Sequence, residues 1–128
     1  MQPIFDSHAH YDDERFDPDR EELIASLPGS GVELVLNAAC DLPSCESSLA
    51  LTRRWPFFYC SVGVHPHAAQ EVAGQRLPAL PGTRRPGKRK AVAIGEIGLD
   101  YTTTSPPGRY RRPSLTSRWP WPRRWTCR

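Results

Sequence analysis

Residues 3–10 read PIFDSHAH, a short apolar run that leads directly into two histidines one residue apart. The run Pro3–Phe5 predicts a buried β-strand, and residues i and i+2 of a strand point to the same face of the sheet. His8 and His10 are therefore expected to project together from the end of a first strand, where two imidazoles can bind one divalent metal ion. The alternative interpretation is two unrelated histidines near the N-terminus.

Strands and helices are predicted to alternate beyond this motif. Three further apolar runs predict the strands Val32–Ala39, Phe57–Val64 and Ala91–Gly95. The nearly continuous apolar character of Val32–Ala39 is typical of a parallel strand that is buried on both faces. One helix is predicted to begin with Asp17 as its cap and Pro18 in its first turn, and a second to run from Ser44 to Trp55. This alternation indicates an α/β fold with a parallel sheet.

Polar side chains follow the first, third and fourth predicted strands, at or just beyond the point where each ends. They are His8, His10, His65, His67, Glu96 and Asp100. The carboxyl ends of the strands of a parallel barrel lie on one face, so these residues are expected to meet there. Two histidine nitrogens and a carboxylate suit Zn, Mn or Mg ions, and the two oxygens of Glu96 can bridge two such ions.

The roles of these residues have alternatives on spacing alone. Glu96 can instead form a salt bridge or a cap, although the flanking Gly95 and Gly98 favour close backbone approach. His65 and His67 can contact an anionic substrate or simply form a polar rim. Asp100 can orient a ligand histidine or merely end a strand.

Three blocks of sequence carry a family resemblance: DSHAH at residues 6–10, GVHPH at 63–67 and AIGEIGLDY at 93–101. They resemble the first three signature blocks of the TatD-type metal-dependent deoxyribonucleases, which are similar to the amidohydrolases. The resemblance implies a TIM (β/α)8 barrel with two divalent metal ions that hydrolyses DNA phosphodiesters, often from the 3′ end. It further implies that His8 and His10 bind one metal, that Glu96 is a bridging catalytic ligand, and that His65 lies on the substrate side.

The chain departs from this family after Asp100. The family supplies two more histidines and an aspartate from later strands, whereas no residue after Asp100 is His, Asp or Glu. We therefore expect residues 1–101 to form the N-terminal half of a truncated barrel, poorly folded or aggregating, with nuclease activity absent or very low. The alternatives are a catalytically inactive fragment that binds nucleic acid through its basic residues 75–128, and an amidohydrolase-like enzyme acting on a small ester or amide.

The C-terminal segment differs sharply in charge from the rest. Residues 1–101 contain 10 basic and 14 acidic residues, whereas residues 102–128 contain 7 basic and no acidic residues. This segment has no apolar periodicity and is expected to be disordered. Its beginning, TTTSPPGRYR, is what codons for the family-like YYDFSPREVQ encode after loss of one base. We hypothesise a one-base deletion after the Tyr101 codon; a natural basic tail that binds nucleic acid is the alternative.

Residues 75–90 hold three prolines and six basic residues where a helix belongs. They represent either a second segment that is read in a shifted reading frame or a basic linker. The four cysteines form no CxxC pair, and we expect reduced thiols in a cytoplasmic protein with no signal peptide. Cys40 and Cys60 lie in apolar runs and are expected to be small core residues. No apolar run approaches the roughly 18 residues of a membrane span.

Overall fold

The computed structural model describes residues 2–69, residue 72 and residues 90–98. Four parallel strands form one sheet in the order β1-β2-β3-β4: β1 is Ile4–Ala9, β2 Val32–Ala38, β3 Phe58–Val62 and β4 Ala91–Ile94. Helix α1, Arg20–Ser26, joins β1 to β2, and helix α2, Leu42–Arg54, joins β2 to β3. The predicted α/β class and the parallel sheet are confirmed, and the strand order is consistent with part of a TIM barrel.

The first helix begins later than predicted. Asp19 is the N-cap of α1, so Asp17 and Pro18 lie in the turn before it. Arg20 explains the difference, because its guanidinium donates to the Asp17 carboxylate at 2.5 Å and to the Tyr11 carbonyl at 2.7 Å. The Asp17 side chain is therefore engaged by an arginine rather than by a helical N–H group.

The two helices cover one face of the sheet. Ile24 of α1 and Leu51 of α2 pack with Val35 and Phe58 in one cluster, while Cys45 and Leu49 of α2 pack with Cys60 and Val62 in a second. Burial of this apolar area is the main favourable contribution to the fold. Cys60 is fully buried, as expected for a small core residue.

The opposite face of the sheet is open within the described part of the chain. Leu34 of β2 is 42% exposed and Val92 of β4 is 47% exposed. The prediction that β2 is buried on both faces is therefore wrong for its first half, because no described element packs over Leu34. The outer strands β1 and β4 also leave the sheet with two unpaired edges among the described residues.

Several predictions fall outside the described residues. They concern Asp100, the tail at residues 102–128 and all of residues 75–90 except Lys90. The domain limits at residues 101 and 102 likewise remain predictions. Among the helices that are described, none has both the length and the apolar character needed to cross a membrane.

Candidate metal centre

Three predicted ligands converge beyond the carboxyl ends of β1 and β4. One ligand atom from each of His8, His10 and Glu96 lies within 4.8 Å of the other two. His8 Nε2 lies 3.5 Å from Glu96 Oε1, and His10 Nε2 lies 3.8 Å from Glu96 Oε2. The two imidazoles meet edge to face with their ring centroids 5.0 Å apart. The sequence prediction that these three residues share one site agrees with this geometry.

The hydrogen bond of His10 leaves a lone pair directed into this cluster. His10 Nδ1 lies 2.8 Å from the Ala38 carbonyl oxygen. A carbonyl only accepts hydrogen bonds, so Nδ1 is the donor, and in the neutral imidazole Nε2 carries a lone pair. Nε2 thus faces a carboxylate oxygen that is also an acceptor, an arrangement that a cation between them stabilises.

The spacing of the ligand atoms fits a metal ion. Two ligands bound at about 2.1 Å to a tetrahedral ion are about 3.4 Å apart. The observed separations of 3.5 and 3.8 Å are close to that value but involve the two different oxygens of Glu96, and one ligand atom from each residue lies within 4.8 Å of the other two. His8, His10 and Glu96 could therefore hold a divalent ion, while the exposed side of His8 leaves access for other ligands.

The ligands reach one another from opposite edges of the sheet. β1 and β4 are separated by β2 and β3, a distance of about 14 Å in a flat sheet. Glu96 crosses this distance because its backbone leaves β4, passes the end of β3 and donates to the Ala39 carbonyl beyond β2 at 2.8 Å. The site is therefore assembled over the end of β2.

Three consecutive carbonyls at the end of β2 anchor three predicted site residues. Ala38 accepts from the His10 ring, Ala39 from the backbone of Glu96, and Cys40 from the backbone of His65 at 2.7 Å. Cys40 itself is half-buried, with Sγ 3.1 Å from Glu96 Oε2. The expectation that Cys40 is a core residue is therefore wrong: the strand ends at Ala38, and Cys40 turns toward the acidic site. Burial, and then its contact with Glu96, raise the pKa of this thiol to about 12.

His65 and His67 lie at the end of β3, as predicted, but outside the three-ligand cluster of the described residues. His65 Nδ1 accepts a hydrogen bond from the backbone N–H of His67 at 3.2 Å, and the two rings stack edge to face. Because Nδ1 is an acceptor, the proton of the neutral His65 ring is on Nε2, which makes Nε2 a hydrogen-bond donor.

Comparison with known proteins identifies the family. A family model described as TatD related DNase matches residues 5–116. The chain belongs to the TatD-related DNase family. The resemblance predicted from the three sequence blocks is thereby confirmed.

Curated TatD-related proteins match about three quarters of the chain. It is 33% identical over 98 residues to the uncharacterized metal-dependent hydrolase YabD of Bacillus subtilis, covering 77% of this chain and 38% of YabD. It is 36% identical over 101 residues to the 3′-5′ ssDNA/RNA exonuclease TatD of Cronobacter sakazakii, covering 77% of this chain and 36% of that protein. The chain therefore spans less than two fifths of the length of these relatives.

The tight backbone approach in this TatD-related chain joins the predicted Gly95 to Gly63, and Gly63 is the residue at which a side chain is excluded. A Cβ on Gly95 would lie 3.6 Å from Ser61, and one on Gly98 would lie 3.8 Å from Pro66, both ordinary contacts. A Cβ on Gly63 would instead lie 2.6–2.7 Å from the backbone of Gly95 and Glu96. Gly63 is thus the position that needs the absence of a side chain, because the backbone of Gly95 and Glu96 passes just beyond the end of β3 there.

Asn37 is a buried residue that sequence reasoning missed. It is fully buried on β2, where its amide donates to Asp12 at 2.6 Å and to Ser48 at 2.8 Å. Its side-chain oxygen accepts from the backbone of Tyr11 at 2.7 Å. Asn37 thereby fixes the loop that follows His10. The only sequence signal was a polar residue within an apolar strand.

Proposed function

We propose that this chain carries part of the active site of a metal-dependent hydrolase that cleaves DNA phosphodiester bonds, as a 3′-5′ exonuclease. The observation that carries the proposal is the convergence of His8, His10 and Glu96, with the donor nitrogen of His10 already bonded to Ala38. Family membership and the exonuclease names of relatives support the substrate class.

The residues divide into those that hold metal and those that meet substrate. His8, His10 and Glu96 would hold one divalent ion, and Glu96 has a second oxygen for another; Mg, Mn and Zn are the candidates. Such an ion acidifies water and polarises a phosphoryl oxygen. His65 offers its Nε2–H as a donor to a phosphate oxygen, with His67 beside it. Asp100 is proposed to orient a ligand histidine.

We propose that this 128-residue chain binds metal but has little or no nuclease activity. The described cluster contains three ligands, and the sequence after Asp100 offers no further His, Asp or Glu. The hypothesis of a one-base deletion after the Tyr101 codon accounts for that loss. Resequencing those codons tests the hypothesis. The expected result is an additional base, followed by a long open reading frame that encodes a further histidine block. Confirmation of the present frame, with no such downstream frame, contradicts the hypothesis.

Metal titration tests the proposed site directly. Calorimetric titration of the intact chain with Mn²⁺ is expected to show binding that His8→Ala and Glu96→Gln weaken by at least about tenfold. Glu46→Gln is the matched control, because Glu46 is an exposed carboxylate on α2. Equal Mn²⁺ affinity in all four proteins would contradict the metal site.

Nucleic-acid binding by the basic residues 75–128 is the second candidate, favoured by the seven basic and no acidic residues beyond position 101. It predicts salt-sensitive affinity for single-stranded DNA that survives chelation and His8→Ala. The hydrolase proposal predicts that both treatments abolish any cleavage. Fluorescence anisotropy and cleavage of one labelled oligonucleotide separate the two.

A cytoplasmic location is also proposed, since the described cysteines are unpaired thiols.

A further inference from the structure

Cys40 makes a contact with Glu96 that the proposed chemistry does not use. Its Sγ lies 3.1 Å from Glu96 Oε2, and Cys40 is half-buried. An ionised carboxylate accepts hydrogen bonds and cannot donate them, so the thiol is the donor of this contact. Cys40 is therefore oriented toward a metal ligand and not toward the apolar core.

The backbone of Cys40 is held on both sides. Its N–H donates to Ser44 Oγ at 2.7 Å, and its carbonyl accepts from the His65 N–H at 2.7 Å. Ser44 belongs to the capping box of α2, in which its own N–H donates to Asp41 Oδ1 at 2.7 Å. The thiol thus extends from a backbone that is fixed by the start of α2. A side chain on such a fixed backbone is suited to orienting the neighbouring Glu96 carboxylate.

We propose that Cys40 is a positioning residue, whose thiol holds the Glu96 carboxylate in the orientation that binds metal. The inference rests on the metal site proposed above. The terminal torsion of a glutamate has a broad energy profile, so one anchored oxygen sets the plane of the group. Oε2 is anchored by Cys40, and Oε1 is thereby directed toward His8 Nε2 at 3.5 Å. Preorganisation of this kind lowers the cost of ordering the ligand when the ion binds.

Three cysteine variants of the full chain, titrated with Co²⁺ against a chromophoric chelator, test the inference. Cys40→Ala removes the donor and is expected to weaken Co²⁺ binding by roughly tenfold, the lower end for partners of metal ligands. Cys40→Ser keeps a donor on the same carbon and is expected to bind within about threefold of the parent chain. Cys60→Ala removes a thiol from the buried core and is expected to leave Co²⁺ affinity unchanged. Circular dichroism verifies that each variant is folded.

The absorption spectrum separates positioning from direct ligation. A thiol that donates to Glu96 predicts no thiolate-to-cobalt charge-transfer band in the parent chain. Such a band, a change below about twofold in Cys40→Ala, or equal weakening in the alanine and serine variants would each overturn the inference. If His8→Ala and Glu96→Gln still weaken metal binding by at least about tenfold in that case, only the role of Cys40 fails. If those two variants bind normally, the metal site itself fails.

Discussion

Replacing Gly63 with alanine perturbs the path by which Glu96 reaches the other ligands. The new Cβ would lie 2.6 Å from the carbonyl carbon of Gly95 and 2.7 Å from the carbonyl oxygens of Gly95 and Glu96. All three atoms are backbone, so no side chain can rotate away. Because Cβ contacts below 3.0 Å essentially never occur and ordinary contacts begin at 3.4 Å, the two backbones must separate by about 0.4 to 0.8 Å at the 2.6 Å contact.

This displacement acts on both stability and metal binding. Forced overpacking in a tightly packed region costs typically about 1–3 kcal/mol of unfolding free energy. A shift of the backbone that carries Glu96 disturbs the placement of its carboxylate, whose oxygens now lie 3.5 and 3.8 Å from the two histidine nitrogens. The three side chains must converge on one ion, so we expect at least about a tenfold loss of Mn²⁺ affinity.

Two alanine variants provide matched controls for Gly63→Ala. A Cβ on Gly95, the residue beside Glu96, meets only Ser61 at 3.6 Å, and a Cβ on Gly29 meets nothing within 4 Å. Urea unfolding measures stability, and Mn²⁺ titration measures affinity, for the parent and all three variants. Stability and Mn²⁺ affinity of Gly63→Ala equal to those of Gly29→Ala would refute the crossing of β3 as the determinant of the site.

Three further predictions concern the sheet and its core. Burial raises the pKa of the Cys60 thiol from 9.0 to about 12. The stability that the buried neutral thiol contributes is therefore fully present below about pH 9 and is lost as the pH rises toward 12. The urea midpoint of Cys60→Ala should thus fall less over this pH range than the midpoint of the parent chain. Asn37→Ala removes the acceptor of the Tyr11 N–H and should cost about 1–3 kcal/mol in urea unfolding, whereas no loss would contradict the buried network. Phe5→Lys with Val92→Lys should reduce self-association in analytical ultracentrifugation, because these side chains are 56% and 47% exposed on the open sheet.

The sequence was sufficient to predict the strands and the proximity of His8, His10 and Glu96 because their signals are local. An apolar run indicates a strand, and two histidines at i and i+2 point to the same side of that strand. A glutamate that follows another parallel strand lies at the same end of the sheet as those histidines. Helix α1 shows where local signals fail: Asp17-Pro18 has the chemistry of a helix start, but Arg20 engages Asp17 and the helix begins at residue 20. A competing side chain three residues away decided the boundary.

Cys40, Asn37 and Gly63 could not be interpreted from the sequence because their roles depend on distant partners. A cysteine at the end of an apolar run is ordinarily a core residue, and only the position of Glu96, 56 residues later, changes that meaning. Asn37 binds Asp12 and Ser48, which lie 25 and 11 residues away. No sequence pattern marks Gly63, because its requirement is the absence of a side chain beside the backbone of Gly95 and Glu96.

These three residues belong to one arrangement at the end of β2. Glu96, which follows β4, can meet His8 and His10 at the end of β1 only by passing the two intervening strands, and the end of each of these strands allows that passage in a different way. Gly63, just beyond β3, has no side chain in the path, and the carbonyls of residues 38–40, at and beyond the end of β2, accept from His10, Glu96 and His65 in turn. An ion held by His8, His10 and Glu96 would link the two edge strands of the described sheet, so the same contacts that build the site would resist separation of those edges.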